Sequence, residues 1–261
     1  MKRILGTAAA LAAAAALVAG CGDSTDTASP GLSPSASGSG VSGPITVFAA
    51  ASLTESFGTL GKQFEAAHPG TTVRFNFAAS SALAQSITQG APADVFASAS
   101  ATNMKQVTDA IDPKTFANNV MEIAVPPDNP GRVAAVADLA RPGLKVALCQ
   151  AQVPCGATAQ AVFAKQRLTV KPVTLGADVK SVLTQVQLGE VDAGVVYKTD
   201  VRAAGSKVTG IEIPADQNAS TSYPIATLKA APNPAGAAAF VAYVLSADGE
   251  KVLTAAGFAG P

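Results

Sequence analysis

The sequence predicts an α/β protein on three observations. Strand-like apolar runs alternate with helix-like stripes along nearly the whole chain, the pattern of parallel sheets flanked by helices. The strand runs are rich in β-branched and aromatic residues, as sheets covered on both faces require. Finally, 48% of the 261 residues are hydrophobic, ample for a core. One large sheet and two smaller ones of roughly a hundred residues each fit that length equally well.

The amino terminus reads as a secretion signal. Lys2 and Arg3 precede an alanine-leucine run from Ile4 to Val18, shorter than the ~20 residues that span a bilayer. Val18-Ala19-Gly20-Cys21 resembles the lipobox of bacterial lipoproteins, which implies cleavage before Cys21 and lipidation of its thiol; a plain secretory signal is the alternative. From Gly22 to Gly43 the chain is Gly, Ser, Thr, Ala and Pro with two aspartates, a flexible tether spanning on the order of 25 Å.

The body opens with Ile45-Thr46-Val47-Phe48, a buried strand, followed by three alanines and Ser52. Leu53, Phe57, Leu60 and Phe64 then mark an amphipathic helix. Ser52 thus stands where strand passes to helix, at the carboxyl end of a strand, where open α/β sheets bind ligands and helix N-termini attract anions. On its own the stretch reads as a capping box, Ser52 satisfying the N–H of Glu55. Thr72 to Phe77 alternates as a strand, and Ala78-Ala79-Ser80-Ser81 leads into a second helix with Leu83 and Ile87, where either serine is a natural N-cap. Asp94-Val95-Phe96-Ala97 is a short buried strand. The spacing predicts a weak helix from Asn103 to Ile111 ended by Asp112-Pro113, then a strand from Met121 to Val125.

Lys145-Val146-Ala147-Leu148 is a strand that runs into Cys149, with a helix carrying Val162 and Phe163 beyond Cys155-Gly156. With Cys21 lipidated, Cys149 and Cys155 remain in an oxidising compartment, which favours a disulfide; two free buried thiols are the alternative. Val173-Thr174-Leu175 is a strand, Asp178 an N-cap for a helix with Val182, Leu183 and Val186, and Val191 to Tyr197 a strand ending in a tyrosine. Ile211 to Pro214 and Tyr223 to Leu228 are the last strands. Asn233-Pro234 opens a helix, and a helical piece from Asp248 to Leu253 closes the chain.

Enzymatic machinery is thin. His68 is the single histidine, beside Pro69-Gly70 at a helix end, which argues against serine and cysteine triads. There is no phosphate-binding glycine loop, no dinucleotide turn and no cluster with metal-ligand spacing. Lys+Arg 18 against Asp+Glu 18 leaves no basic field for nucleic acid. Repeated strand-to-helix turns bearing hydroxyls suit a small anion. A secreted hydrolase using Ser52 or Ser80 and an adhesive lipoprotein are the competing classes.

Six separated motifs then fall in one order: Val47-Phe48-Ala49-Ala50-Ala51-Ser52-Leu53, Ser80-Ser81-Ala82-Leu83-Ala84, Gly90-Ala91-Pro92-Ala93-Asp94-Val95-Phe96, Val153-Pro154-Cys155-Gly156, Asp178-Val179 and Gly194-Val195-Val196-Tyr197. Together they resemble the periplasmic molybdate-binding proteins of ABC transporters. The resemblance implies a two-lobed periplasmic binding protein, type II-like, each lobe a mostly parallel sheet flanked by helices, with the ligand cleft between them. The organisation it suggests is a lipoprotein signal at 1–20, lipidated Cys21 and tether at 21–43, lobe 1 at 44–123 plus 222–261, and lobe 2 at 124–221.

Carried over by position, Ser52 and Ser80 would donate hydroxyl and backbone N–H to the oxyanion, Cys155 and Val179 their backbone N–H, and Tyr197 its phenol. Cys155 stands where many members have alanine, and Ser100 where an aspartate is common. The resemblance further implies a non-enzymatic monomer that captures molybdate, and tungstate too, for an ABC permease. It would need no cofactor and no cation site, and would sit outside the cytoplasm, touching the membrane through its lipid anchor only. Sulfate or thiosulfate capture is the runner-up, since a donor-only site fits any unprotonated tetrahedral dianion.

Overall fold

The computed structural model describes residues 41–261; the signal and lipidation readings at Cys21 lie outside the described residues. The first element is β1 (Gly43–Ala50), which passes through a 3-10 turn (Ala51–Leu53) into α1 (Thr54–Ala67). β2 (Thr71–Ala78), α2 (Ser80–Thr88), β3 (Val95–Ala97) and α3 (Ala101–Gln106) follow. β4 (Ala110–Val125) is long and shared between two sheets. Then come β5 (Val146–Cys149), α4 (Pro154–Lys165), β6 (Thr174–Gly176), α5 (Val179–Gln187), β7 (Ala193–Tyr197) and α6 (Lys198–Ala204). β8 (Thr209–Glu212), β9 (Ser220–Leu228), α7 (Pro234–Val244) and α8 (Ala247–Ala256) complete the chain.

Two lobes result, each built on three parallel strands in the order second, first, third. In one, β2, β1 and β3 are parallel neighbours; in the other, β6, β5 and β7. That order places a switch point beside the first strand of each set, where helices leave on opposite faces and a crevice opens at the strands' carboxyl ends. The sheets are mixed rather than wholly parallel. β9 and β4 run antiparallel to their neighbours, and β4 pairs with β9 through its first part and with β7 and β8 through its last.

The buried side chains follow the same division. Phe57, Leu60, Phe64, Tyr223 and Phe240 pack on one face of the first sheet, and Leu83, Phe96 and Met104 on the other. Val146, Val162, Val182, Val195 and Tyr197 belong to the core of the second lobe, with Met121 and Ile123 from the end of β4. Asp94 ties the first lobe together. Its buried carboxylate accepts the N–H of Thr46 (2.7 Å) and of Asn233 (2.6 Å), joining β1 to the start of α7.

The reading around Asp112-Pro113 needs correction. The helix is shorter than predicted and ends at Gln106, and Asp112-Pro113 lies within β4. Asp112 has φ 42°, and the register slips between Ile111 and Lys114. Proline has no ladder N–H to donate, so a bulge that leaves it unpaired keeps the strand whole where a helix stop was expected.

Candidate functional site

The strand-to-helix junctions of both lobes meet at one small cavity of about 20 Å³, a void on the scale of a small solute rather than an organic molecule. Ser52, Ser80, Cys155, Val179 and Tyr197 all line it, with Ala50, Ala51, Ala78, Ala79, Ala99, Pro154 and Asp178 between them. The structure therefore brings all five candidates together, two from the first lobe and three from the second. A larger groove of about 640 Å³ has mixed walls that include Glu55, Arg202 and Lys251, and Ser52 is the one candidate that reaches it.

Backbone donors come from helix starts. Ser52 lies in the 3-10 turn before α1, Ser80 opens α2, Cys155 is the second residue of α4, and Val179 opens α5. N–H groups in a first turn have no carbonyl of their own helix to reach. Three of these four starts carry no side-chain cap: Ala50, Ala79 and Val153 occupy the capping positions. The fourth is capped by Asp178, whose Oδ1 accepts the N–H of Ser181 at 2.9 Å. That carboxylate is thereby turned into its own helix. The convergent helix N-termini supply positive potential to a wall that holds no Lys or Arg.

The hydroxyls are arranged to match. Ser80 Oγ accepts the N–H of Ala99 at 2.9 Å, which leaves its hydrogen for the cavity. Neither Ser80 nor Ser81 caps α2, because the helix starts one residue earlier than a serine cap requires. Ser52 does not form a capping box with Glu55 either. The 3-10 turn takes Ser52 past the capping position, so its Oγ pairs with Tyr223 Oη (2.8 Å) while Glu55 reaches Lys180. Tyr197 Oη is buried and makes no hydrogen bond within the described residues; Thr158, beside it, donates its own hydroxyl to the Pro154 carbonyl (2.8 Å). Burial and then nearby Tyr223 hold the Tyr197 phenol protonated well above its ordinary range, so it stays a donor.

Two devices shape this wall. A disulfide joins Cys149 to Cys155 and ties the end of β5 to the start of α4. Gly156 follows, and a Cβ there would stand 2.0 Å from the carbonyl oxygen of Gln150. The loop between the cysteines can fold back this closely only over a glycine.

Sequence reasoning missed the residues that stand behind the site. Lys180 Nζ lies 2.7 Å from Glu55 Oε2 of the first lobe and 2.9 Å from Asp200 Oδ1 of the second. The latter contact is close yet off the line of a good hydrogen bond. Asp200 Oδ2 in turn accepts the N–H of Tyr197 at 3.2 Å. The ion pairs thus connect the helix after Ser52, the helix of Val179 and the end of the Tyr197 strand. Burial lifts the Asp200 carboxyl to about 6 against the pull of Lys180. Burial alone would depress Lys180, but Asp200 and Glu55 hold it above its ordinary value. Nothing local in the sequence marks Lys180, whose partners Glu55 and Asp200 lie far along the chain. Asp200 does have a local partner, the Tyr197 N–H three residues before it, but its ion pair with Lys180 is not local.

Comparison with known proteins agrees with this architecture. Over 254 residues the chain is 42% identical to the molybdate-binding protein ModA of Mycobacterium tuberculosis, an alignment that covers 95% of each chain. Its fold matches the periplasmic molybdate-binding protein of Azotobacter vinelandii with a TM-score of 0.73 at 21% identity, over 83% of this chain and 99% of that one. It also matches the sulfate-binding protein SubI of Mycobacterium tuberculosis with a TM-score of 0.71 at 19% identity, over 82% and 86%. At such identities the two structural likenesses establish the fold alone. With a family profile matching residues 45–259, the chain belongs to the bacterial extracellular solute-binding proteins.

Proposed function

We propose that this protein captures molybdate, and tungstate by the same chemistry, and delivers it to an ABC permease. Ser52, Ser80 and Tyr197 donate through their hydroxyls, and Ser52, Ser80, Cys155 and Val179 through their backbone N–H groups. The observation that carries the reading is the convergence of these donors on one cavity whose one carboxylate, Asp178, is engaged with Ser181. A dianion that bears no proton at neutral pH is satisfied by donors alone. Hydrogen phosphate would turn its own O–H toward them with no acceptor to receive it. The 42% identity to a molybdate-binding protein over 95% of the chain supports the same ligand.

Calorimetry of the body from residue 41 onward tests this with molybdate, tungstate, sulfate and phosphate. Tight binding of the first two, weak binding of sulfate and none of phosphate is the expected outcome. Sulfate bound more tightly than molybdate would establish the sulfate reading instead, and no tight oxyanion binding at all would overturn both.

In this reading the protein is a monomer that binds and releases without catalysing a reaction and needs no cofactor. The lobes run over 44–123 with 222–261 and over 124–221, and close on the anion by motion at the crossing strands β4 and β9. Cleavage before Cys21 and acylation of its thiol hold the body outside the cytoplasm at the cell membrane, with the residues up to Gly43 as tether. Mass spectrometry of membrane-extracted protein should find an acylated Cys21 at the amino terminus. A Cys21→Ala chain should be released, and retention of that variant at the membrane would refute the anchor.

A further inference from the structure

The Ser52 hydroxyl has a second neighbour besides the cavity. Tyr223 Oη lies 2.8 Å behind Ser52 Oγ, on a ring that is fully buried. By distance alone either oxygen is able to donate. The groups beyond Tyr223 decide between them. The side-chain carbonyl of Asn119 accepts the N–H of Val120 at 3.0 Å. This turns the Asn119 amide nitrogen toward Thr199 Oγ1 (2.8 Å) and Tyr223 Oη (3.4 Å). Tyr223 therefore receives a hydrogen from Asn119. Burial keeps its phenol protonated, well above the ordinary tyrosine range, and its single hydrogen has Ser52 Oγ as the acceptor in reach. Were Ser52 to donate backwards instead, the Tyr223 hydrogen would be left buried without a partner, which is the costlier arrangement. So Ser52 accepts from behind, and its own hydrogen points to the cavity. Ser80 is held the same way by the Ala99 N–H.

We propose that Tyr223, oriented by Asn119, is a positioning residue that fixes the direction of the Ser52 O–H and thereby makes the site selective for anions that carry no proton. The inference rests on the oxyanion reading of the cavity. The relay runs one way: Asn119 N–H to Tyr223, Tyr223 O–H to Ser52, Ser52 O–H to the anion. Without the phenol, the Ser52 hydroxyl is free to rotate and to offer a lone pair. A protonated anion then finds an acceptor that the intact site withholds.

A double-mutant cycle read by calorimetry tests this with molybdate and hydrogen phosphate as probes. Tyr223→Phe, Ser52→Ala and the double variant are compared with the unmodified protein, with thermal melts as a check on folding. Tyr223→Phe is expected to weaken molybdate by up to about tenfold, because the Ser52 donor stays but is no longer held in line with the anion. It should also narrow the preference for molybdate over hydrogen phosphate. In the Ser52→Ala background the same change should have little further effect on either anion. If Tyr223→Phe weakens binding equally in both backgrounds, or leaves the anion preference unchanged, the tyrosine only packs and the relay is wrong. If Ser52→Ala itself retains full molybdate affinity, the assignment of Ser52 to the site fails, whatever Tyr223 does.

Discussion

At the scale of single residues, the Ser52 and Ser80 hydroxyls each have a protein partner as well as the cavity, and separate measurements of binding and of stability distinguish the two roles. Under the proposed function Ser80→Ala removes a donor from the anion; it also deprives the buried Ala99 N–H of its acceptor. Loss of a hydrogen bond to a charged ligand costs about 1.5–3 kcal/mol, so molybdate affinity should fall roughly ten- to a hundredfold. The orphaned N–H should lower stability by about 1–3 kcal/mol even without ligand, which a denaturant melt of the empty protein would show. Gly156 offers a purely steric test. An alanine there meets the Gln150 backbone at 2.0 Å, and main chain cannot swing aside as a long side chain would. Gly156→Ala should destabilise by about 1–3 kcal/mol. An unchanged melting temperature would mean that the loop over the disulfide is looser than described.

At the scale of elements, the site depends on where four helices begin. α5 is the one with a side-chain cap, and Asp178 and Ser181 exchange hydrogen bonds there. Asp178→Ala should cost about 1 kcal/mol in stability and loosen the N–H of Val179. A weaker molybdate complex with a faster off-rate is the expected readout in stopped-flow fluorescence or calorimetric competition. The cap, the Asn233-Pro234 helix start and the tyrosine closing β7 are all legible in sequence, because each is a local arrangement of neighbours along the chain. The capping box at Ser52 and Glu55 is equally local, and it does not form. A 3-10 turn shifts the helix start, and partners 171 and 125 residues away claim the two side chains. The extent of β4 was illegible for a similar reason: Asp112-Pro113 is a helix stop by local rule, and pairing with β9 makes it a bulge.

At the scale of the whole molecule, the ion pairs of Lys180 span the cleft. Glu55 is about half exposed, with a side-chain exposure of 52%, so its share is that of a surface pair, about 0.2–1 kcal/mol. Glu55→Gln should therefore weaken ligand binding only a few-fold, and the difference should shrink at high salt. Asp200 is different because it is fully buried. Its folded-state carboxyl titrates at about 6 against an ordinary 3.8, so between those values the folded protein binds the proton more tightly than the unfolded chain. That contribution to stability is complete below the lower value and is lost as pH rises through the higher one. Asp200→Asn should remove this segment of the pH dependence from urea melts between about pH 4 and pH 6. A slope unchanged by the substitution would place the titration elsewhere.

What the sequence determined by itself is the set of strand-to-helix junctions and the kinds of donor they present. Strand and helix follow from residue periodicity, and hydroxyl, glycine and cap residues act on their immediate neighbours. The ordered motifs identified the family, and with it the five residues that line the cavity. The tertiary structure alone decided how those donors are supported. It gave Ser52 a tyrosine instead of a cap, turned Glu55 to a lysine of the other lobe, and buried Asp200 beneath both. Those partners are joined by the crossing of β4 and β9 and by the meeting of two sheets. Contacts of that kind leave no periodic trace, because distance through space, not spacing along the chain, sets which polar group satisfies which.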